Sequence, residues 1–272
     1  MLPVPEDHRS VLRSASWFVR THLLRRRKLT AIVDALGLEV RAFSRDLVGR
    51  HLYKRGVYEP DLTAFVLQRL SMPADAVALD IGANLGWYSM LLGRRFPGAQ
   101  VHAFEPEARN LELLRENVRR NGCRGVTVHG VAVAEANQSK LLYTYPEKNM
   151  GRHSLLAINR ATPVEVRAVR LDDFLAEQHI APERVGFVKI DIEGYEELAL
   201  RGAPRLLAAG PALLIEYAPK YMRRGGLDPA ACLDLLRGAG YRAHLVTPAG
   251  QEPCPEAKLS GDERLDLLWL RP

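Results

Sequence analysis

The sequence predicts an α/β fold in which helices cover both faces of a mostly parallel sheet. From residue 75 onward, short apolar runs of strand length alternate with longer segments of helical periodicity. Because parallel strands need long crossover connections, repeated units of this length indicate a parallel sheet with right-handed crossovers. One unit, Val77–Leu92, has a glycine-rich turn between its strand and its helix, which is typical of Rossmann-like nucleotide-binding folds.

The elements follow from short apolar runs and from helical spacing of apolar residues. Seven core strands are predicted at Val77–Ile81, Val101–Glu105, Val126–Val131, Val185–Asp191, Leu213–Glu216, Tyr241–Val246 and Leu265–Leu270. Helices are predicted at Leu85–Arg95, Glu107–Asn121, Leu171–Gln178, Tyr195–Leu207 and Pro229–Ala239. Two additional strands, joined by a loop, are expected at Leu141–Tyr145 and Val164–Val169.

The N-terminal part of the chain differs in charge from the rest. Residues 1–60 contain twelve Lys or Arg and six Asp or Glu, so they account for the whole net charge of +6 and the remainder is neutral. Apolar residues recur at helical spacing over residues 8–55, which predicts helix there. We therefore expect a basic helical extension at 1–56 and one domain at 57–272. The run Arg25–Lys28 is either a solvated helix face or a contact for an anionic membrane or acidic partner.

Composition limits the class and the compartment. No run of 18 uncharged apolar residues occurs, and no apolar stretch near the start precedes a small-residue cleavage site. The three cysteines are widely spaced and form no CxxC pair, which argues against a disulfide framework or a zinc site. These features predict a cytoplasmic protein, with peripheral contact at the inner face of a membrane through the basic N-terminal helix as an additional expectation.

The turn Asp80-Ile81-Gly82-Ala83-Asn84-Leu85-Gly86 is the predicted cofactor site. Gly82 and Gly86 allow a tight turn and close approach of the backbone to a ligand, and Ala83 and Asn84 lie between them. Asp80 would repel the pyrophosphate of a dinucleotide, whose usual pattern is GxGxxG. The same carboxylate suits a ligand with an ammonium and a sulfonium group and no phosphate, which describes S-adenosylmethionine.

Two further strand ends complete the expected cofactor site. Glu105 ends the second core strand, where a carboxylate can accept both ribose hydroxyls, and Pro106 stops that strand. Dehydrogenases share this acid, so it indicates a nucleoside without specifying which. Ala132 follows the third strand in the segment 130–133, where small side chains could contact an adenine ring. An ordinary buried strand end explains the segment equally well.

Several segments together resemble the FkbM family of S-adenosylmethionine-dependent O-methyltransferases from about Tyr58 to Tyr217. The matching segments are Tyr58-Glu59-Pro60, Asp80–Gly86, Phe104-Glu105-Pro106, Leu171-Asp172-Asp173, Lys189-Ile190-Asp191-Ile192-Glu193-Gly194-Tyr195-Glu196 and Ile215-Glu216. The resemblance implies a seven-stranded class I methyltransferase fold. It also implies methylation of a hydroxyl on a sugar or natural-product scaffold, and it adds Tyr58 and Glu59 to the expected cofactor-binding residues.

The chemistry is expected at acids after the later strands. A hydroxyl is a poor nucleophile until its proton is removed, so a base or a metal is needed. Asp191 and Glu193 follow the fourth core strand and are expected at the methyl group, where Asp191 also borders the cofactor and both acids would suit Mg²⁺. Glu196 is either a third member of this cluster or a solvated or N-capping acid of the first helical turn, which is the interpretation expected for Glu197. Glu216 ends the fifth strand as a second candidate for the base.

A loop at Asn149–Ser154 is expected to cover the site. His153 in this loop could be the base, although an exposed loop histidine is the simpler interpretation. Lys189 points to the opposite side of its strand from Ile190, and we expect it to pair with a carboxylate.

Other functions remain alternatives. A nucleic-acid methyltransferase is disfavoured because Asp191-Ile192-Glu193-Gly194 replaces the Asn/Asp-Pro-Pro-aromatic motif, and because the core is neutral. A non-catalytic S-adenosylmethionine-binding protein has no need of the acid cluster. We therefore expect a small-molecule or glycan acceptor and no nucleic acid.

Overall fold

The computed structural model describes residues 7–145, 150–158, 163–247 and 250–272. The strands are β1 Lys28–Val33, β2 Leu38–Phe43, β3 Val77–Ile81, β4 Gln100–Phe104, β5 Val126–His129, β6 Ala132–Ala134, β7 Gln138–Tyr143, β8 Pro163–Arg170, β9 Val185–Ile190, β10 Ala212–Tyr217, β11 Arg242–Thr247, β12 Gly250–Pro253 and β13 Leu265–Leu270. The α-helices are α1 Asp7–Phe18, α2 Leu47–Arg55, α3 Pro60–Gln68, α4 Trp87–Arg95, α5 Ala108–Arg120, α6 Leu171–Glu177, α7 Glu196–Arg201, α8 Pro204–Ala209, α9 Pro219–Arg224, α10 Pro229–Gly238 and α11 Glu256–Leu259.

The main sheet has eight strands in the order β12-β11-β13-β10-β9-β3-β4-β5. Strands β10, β9, β3, β4 and β5 are parallel, whereas β13 and β12 pair antiparallel with their neighbours. All seven predicted core strands are present, and β12 adds a short strand at one edge. The α/β class with a mostly parallel sheet is confirmed.

The central strand β3 is buried at every position, which explains its uninterrupted apolar sequence apart from Asp80. Helices α3, α4 and α5 pack on one face of the sheet together with the N-terminal segment. Helices α6, α7, α8 and α10 pack on the other face. Because both faces are covered, ligands can approach only at the strand ends.

The N-terminal segment is only partly helical. Helices α1 and α2 form at its ends, but the helical prediction is wrong for residues 28–43, which form the antiparallel hairpin β1–β2. In β2, Leu38, Val40 and Ala42 are buried and the residues between them point outward, which is the two-residue period of a strand. Gly37, at φ 55°, allows the reversal between the strands.

Two asparagines of α5 attach this hairpin to the domain. Asn117 accepts a hydrogen bond from the Arg41 amide (2.7 Å) and donates to the Arg41 carbonyl (2.9 Å). Asn121 makes the same pair of bonds with Glu39, at 2.9 Å each. Asn117 and Asn121 are four residues apart and therefore share one face of α5. Their carboxamides bond to alternate residues of β2 and so pair backbone groups at the edge of this strand.

The predicted helix at Tyr195–Leu207 is divided into α7 and α8. Pro204 has no amide hydrogen to continue a helix. Gly202 lies against β6, where an added Cβ would be 2.4 Å from the Ala134 carbonyl oxygen. The two additional strands expected after residue 140 are present as β7 and β8, which form a three-stranded sheet with β6. Across the described ranges, every helix is too short or too polar to cross a bilayer.

Candidate active site

A cavity opens at the carboxyl ends of β3, β4, β9 and β10. Twelve of the fourteen predicted site residues line it: Tyr58, Asp80, Gly82, Ala83, Asn84, Glu105, Pro106, Ala132, His153, Asp191, Glu193 and Glu216. Glu59 and Gly86 do not line it. The parallel strands bring these residues together although 158 positions separate the first from the last.

Gly82 is the position where the turn after β3 meets the end of β9. Its φ is +80°, and a Cβ there would lie 1.9 Å from the Asp191 carbonyl oxygen. The amides of Gly82 and Ala83 both donate to the Phe104 carbonyl, at 3.0 and 2.9 Å. No side chain other than hydrogen fits at Gly82, so the backbone itself forms this part of the cavity wall.

Gly86 has a packing role. Its φ is +92°, and an added Cβ would lie 2.6 Å from Leu114 Cδ1 of α5. The glycine therefore allows α4 to begin close against α5, and its contribution to the cavity is indirect.

Asp80 presents a buried carboxylate with one free oxygen. Its Oδ2 accepts a hydrogen bond from Ser89 Oγ at 2.5 Å, and Oδ1 has no partner among the described residues. Burial raises the pKa of Asp80, while the nearby Lys189 ammonium opposes this shift. An unpartnered buried oxygen at a cavity wall is a suitable acceptor for a cationic group of a ligand.

Glu105 is fixed by backbone hydrogen bonds on both oxygens. Oε2 accepts from the Asn84 amide at 2.9 Å, and Oε1 accepts from the Glu107 amide at 2.8 Å. Burial raises the pKa of Glu105 to about 8. Each carboxylate oxygen has a second lone pair, so this fixed group can still accept hydrogen bonds from ligand hydroxyls.

Glu59 acts on the cavity through Tyr88. The Glu59 carboxylate accepts a hydrogen bond from the Tyr88 hydroxyl at 2.6 Å. The Tyr88 ring lies 4.6 Å from Lys189 Nζ, and Tyr88 and Lys189 both line the cavity. Glu59 therefore orients a cavity residue from outside the wall.

Asp191, Glu193 and Glu216 form a carboxylate cluster, each offering an oxygen within 4.8 Å of the others. Lys189 Nζ donates to Asp191 Oδ2 at 2.9 Å, as expected from the sequence. Arg264 Nη1 lies 2.9 Å from Glu216 Oε1 and 3.9 Å from Glu193 Oε1. The cluster thus contains three acids and two cationic side chains.

Burial and mutual repulsion make two of these acids weak. Burial, followed by repulsion from Asp191, raises the pKa of Glu193 to about 8. The same two causes raise the pKa of Glu216 well above its usual range. Oε2 of Glu193 and Oε2 of Glu216 have no hydrogen-bond partner within the described part of the chain. Groups with such pKa values in a cavity are suited to proton transfer near neutral pH.

Glu196 and Glu197 face away from the cavity. Glu196 Oε1 accepts from the amides of Ile192 (3.1 Å) and Gly194 (3.0 Å), which closes the turn that presents Glu193 at φ 53°. Glu197 is buried and forms an ion pair with Arg201. Both acids lie in the first turn of α7, as one interpretation of the sequence predicted, but both are buried and not solvated.

His153 is buried and has a defined hydrogen bond. Its Nδ1 accepts from the Tyr145 amide at 2.8 Å, so the neutral ring carries its proton on Nε2. Burial lowers the pKa of His153 to about 4. This geometry makes His153 a hydrogen-bond donor to the cavity, which disfavours the predicted role of general base and excludes the exposed-loop interpretation.

The segment around Met150 is held from two sides by residues that the sequence interpretation missed. The Met150 amide donates to Asp46 Oδ1 at 2.9 Å, and its carbonyl accepts from Asn110 Nδ2 at 3.0 Å. Asp46 also caps α2, which places Leu47 and Val48 at the cavity. An aspartate before an apolar helix predicts an N-cap from the sequence. The bond from Met150 to Asp46 joins residues 104 positions apart, and no local pattern predicts it. Asn149 of the covering loop lies outside the described residues.

The fold is that of the class I methyltransferases. The crystal structure of methyltransferase FkbM from Methylobacillus flagellatus KT matches with a TM-score of 0.50 and 20% identity, covering 96% of this chain and 59% of that chain. At this identity the match concerns the fold alone.

The sequence comparisons define the family. The model of the methyltransferase FkbM domain matches residues 80–243, which is more than half of the chain. The chain therefore belongs to the FkbM family of S-adenosylmethionine-dependent methyltransferases.

Two relatives show how far the similarity extends. Methyltransferase 1 of Beauveria bassiana is 27% identical over 148 residues, which are 48% of this chain and 59% of that protein. The 31-O-demethyl-FK506 methyltransferase FkbM of Streptomyces tacrolimicus is 29% identical over 198 residues, covering 62% of this chain and 73% of that protein. The chain thus spans less than two thirds of the Beauveria protein.

Proposed function

We propose that the chain transfers the methyl group of S-adenosylmethionine to a hydroxyl oxygen of a sugar, glycan, glycolipid or natural-product acceptor. The observation that carries this proposal is the position of Glu193: a carboxyl group with a pKa raised to about 8 faces the same cavity as the Gly82 turn. The name of the Streptomyces relative, an O-demethyl-FK506 methyltransferase, supports oxygen as the acceptor atom.

The residues that line the cavity offer hydrogen-bond acceptors and a charge suited to the cofactor. Asp80 offers a free buried oxygen for a cationic group, and Glu105 offers fixed acceptors for ribose hydroxyls. Because Gly82 has no side chain, its backbone forms the cavity wall and a ligand can approach it closely. When bound, the cofactor supplies an electrophilic methyl group on a sulfonium. The free Oδ1 of Asp80 at the cavity wall favours a cationic group of the ligand over a pyrophosphate.

Glu193 is the proposed general base. Glu193 would accept the proton of the acceptor hydroxyl as that oxygen is methylated, and the bound cofactor would supply the methyl group. The negative charge of Asp191 keeps the pKa of Glu193 high, and a higher pKa makes the Glu193 carboxylate a stronger base. Arg264 holds Glu216 beside it. In-line approach and exclusion of water supply the rest of the rate enhancement.

Asp191, Glu193 and Glu216 are also the residues that would have to hold Mg²⁺. The three oxygens are close enough for one cation, but Arg264 already lies between Glu216 and Glu193, and Lys189 neutralises Asp191. The positive charges of Arg264 and Lys189 oppose a further cation at this cluster. No step of the proposed mechanism therefore uses a metal, and activity in the presence of a chelator tests this point.

The acceptor is proposed to be hydroxylated and not a nucleic acid. Carboxylates accept hydrogen bonds from sugar hydroxyls, and the His153 Nε2 proton offers a donor. Residues 61–272 carry no net positive charge, whereas polynucleotide binding depends on basic surfaces that neutralise phosphates.

A panel of acceptors with labelled cofactor tests the function. Sugars, lipid-linked glycans, macrolides and RNA are each incubated with the protein, with Mg²⁺ and with chelator, and labelled product and S-adenosylhomocysteine are measured. We expect product with at least one hydroxylated acceptor, none with RNA, and no loss with chelator. Asp191→Ala should abolish turnover with the fold intact, and unchanged turnover in this variant would contradict the assignment of the cluster.

A further inference from the structure

The outward face of α1 is apolar, which is the reverse of an ordinary surface helix. Helix α1 continues as a π-helical turn, Val19–Leu23, and the exposed apolar side chains recur at helical spacing along both: Val11, Leu12, Ala15, Phe18, Val19 and Leu23. Leu12 is 72% exposed and Leu23 is 68% exposed. We refer to these six residues as the apolar stripe. A contiguous exposed patch of this kind indicates an interaction surface.

Contacts on the opposite face fix the orientation of the helix. Trp17 Nε1 donates to the Ser44 carbonyl at 2.8 Å, and Ser16 Oγ lies 3.1 Å from the Tyr53 hydroxyl. Lys54 Nζ lies 4.2 Å from the centroid of the Trp17 ring. Because the polar and aromatic side of α1 is already used against α2 and the hairpin, the apolar stripe cannot turn inward without breaking these contacts.

Positive charge surrounds the stripe. Arg20 lies within the stripe's span, and Arg25, Arg26 and Arg27 follow it directly, all exposed. None of these four forms an ion pair with any residue that the structure describes, whereas the next basic residue, Lys28, is paired with Glu112 at 2.7 Å. Exposed leucine and phenylalanine beside unpaired arginines match the combination that anionic lipid bilayers bind.

We propose that the apolar stripe and Arg20–Arg27 bind the surface of an anionic lipid bilayer, with α1 lying in the interface. A second copy of the chain could cover the stripe, but it would bring two sets of unpaired arginines together. An anionic bilayer accepts the apolar side chains and neutralises the arginines at the same time. This proposal is independent of the methyl acceptor.

Flotation with lipid vesicles tests the proposal on the full chain. Phosphatidylcholine vesicles, with and without phosphatidylglycerol, are mixed with the protein, and the bound fraction is measured after centrifugation. We expect binding to the phosphatidylglycerol vesicles that decreases as salt is raised, and weak binding to phosphatidylcholine alone.

Two double variants separate the apolar and the charged contributions. The double variant Leu12→Ser, Leu23→Ser should lower the partition coefficient between vesicles and water by more than about tenfold, because the bilayer would bury less apolar area of the protein. Arg25→Gln with Arg26→Gln should lower it about 30-fold, at about fivefold per charge.

Matched controls lie elsewhere on the surface. Leu141→Ser with Val164→Ser removes two exposed apolar side chains of the β7–β8 sheet, and Arg119→Gln with Arg124→Gln removes two exposed charges. Both controls should bind vesicles like the unaltered protein. All substituted positions are exposed, and thermal melts check that each variant folds.

Three results would overturn the proposal. The first is that the unaltered protein does not bind phosphatidylglycerol vesicles, and the second is that the variants and their controls lose binding equally. The third is a dimer in solution that the Leu12→Ser, Leu23→Ser variant abolishes, while neither the unaltered protein nor the variant binds vesicles. The last result would assign the stripe to a second copy of the chain.

Discussion

Asp46 accepts a hydrogen bond from the backbone amide of Met150 at 2.9 Å, although 104 positions separate the two residues. Asp46 belongs to the N-terminal segment, and Met150 lines the cavity. The N-terminal segment is therefore part of the site, since it holds one wall of the cavity in place and adds Leu47 and Val48 to the lining.

Asp46→Asn should weaken the cavity wall. Asp46 uses Oδ1 for Met150 and Oδ2 for the Gly49 amide, and asparagine has only one acceptor atom for these two donors. We expect a loss of about 1–2 kcal/mol in the free energy of unfolding and a raised KM for the cofactor. Denaturant titration and steady-state kinetics measure both. Asp34→Asn, at an exposed acid of the hairpin turn, is the control, and equal effects in both variants would contradict this role.

Gly82→Ala should disrupt the site. The added Cβ would lie 1.9 Å from the Asp191 carbonyl oxygen at a φ of +80°, so the ends of β3 and β9 must separate. We expect a loss of several kcal/mol in stability, or of measurable cofactor binding. Gly238→Ala is the matched control, because Gly238 ends a helix and a Cβ there meets nothing within 4 Å. It should be neutral or stabilising by about 0.5–1 kcal/mol.

Asp80→Asn should reduce cofactor affinity with little change in fold. The amide keeps the size of the carboxylate and removes the charge beside the free Oδ1 position. We expect the dissociation constant for S-adenosylmethionine to rise about tenfold to a hundredfold, by calorimetry. Glu105→Gln should act similarly through the ribose contacts. Glu183→Gln, at an exposed acid, should bind normally, and unaltered affinity in Asp80→Asn would contradict the cofactor assignment.

The pH profile should report the ionisation of Glu193. A general base must be deprotonated, so kcat/KM should rise with pH up to about 8, the raised pKa of Glu193, and level off above it. Glu193→Gln should lower kcat about 10²–10⁴-fold and flatten the profile. Glu196→Gln is the comparison variant: the amide keeps the oxygen that accepts from Ile192 and Gly194, and the profile should persist with a lower midpoint because the Glu196 charge adds to the raised pKa of Glu193. A profile that Glu196→Gln flattens instead would exclude Glu193 as the base.

The sequence determined the α/β class, the order of the core strands along the chain and twelve of the residues that line the cavity. This was possible because a buried parallel strand leaves a short apolar run, and its carboxyl end is marked by the next polar or glycine residue, as at Asp80 and Asp191. The β1–β2 hairpin was missed because Ile32, Val33, Leu36, Val40 and Phe43 also fit a helical period. Docking of β2 against Asn117 and Asn121 favours the strand, and local spacing contains no information on that contact.

Only the tertiary structure decided which groups control the chemistry. Arg264 reaches Glu216 from just before the last strand, Asp46 reaches Met150 from the N-cap of α2, and a backbone amide fixes the His153 tautomer. Each relationship joins residues through space, and the raised pKa values of Glu193 and Glu216 follow from burial and from neighbours on other strands. A sequence records which residues are present, whereas desolvation and charge coupling depend on the distances that folding creates.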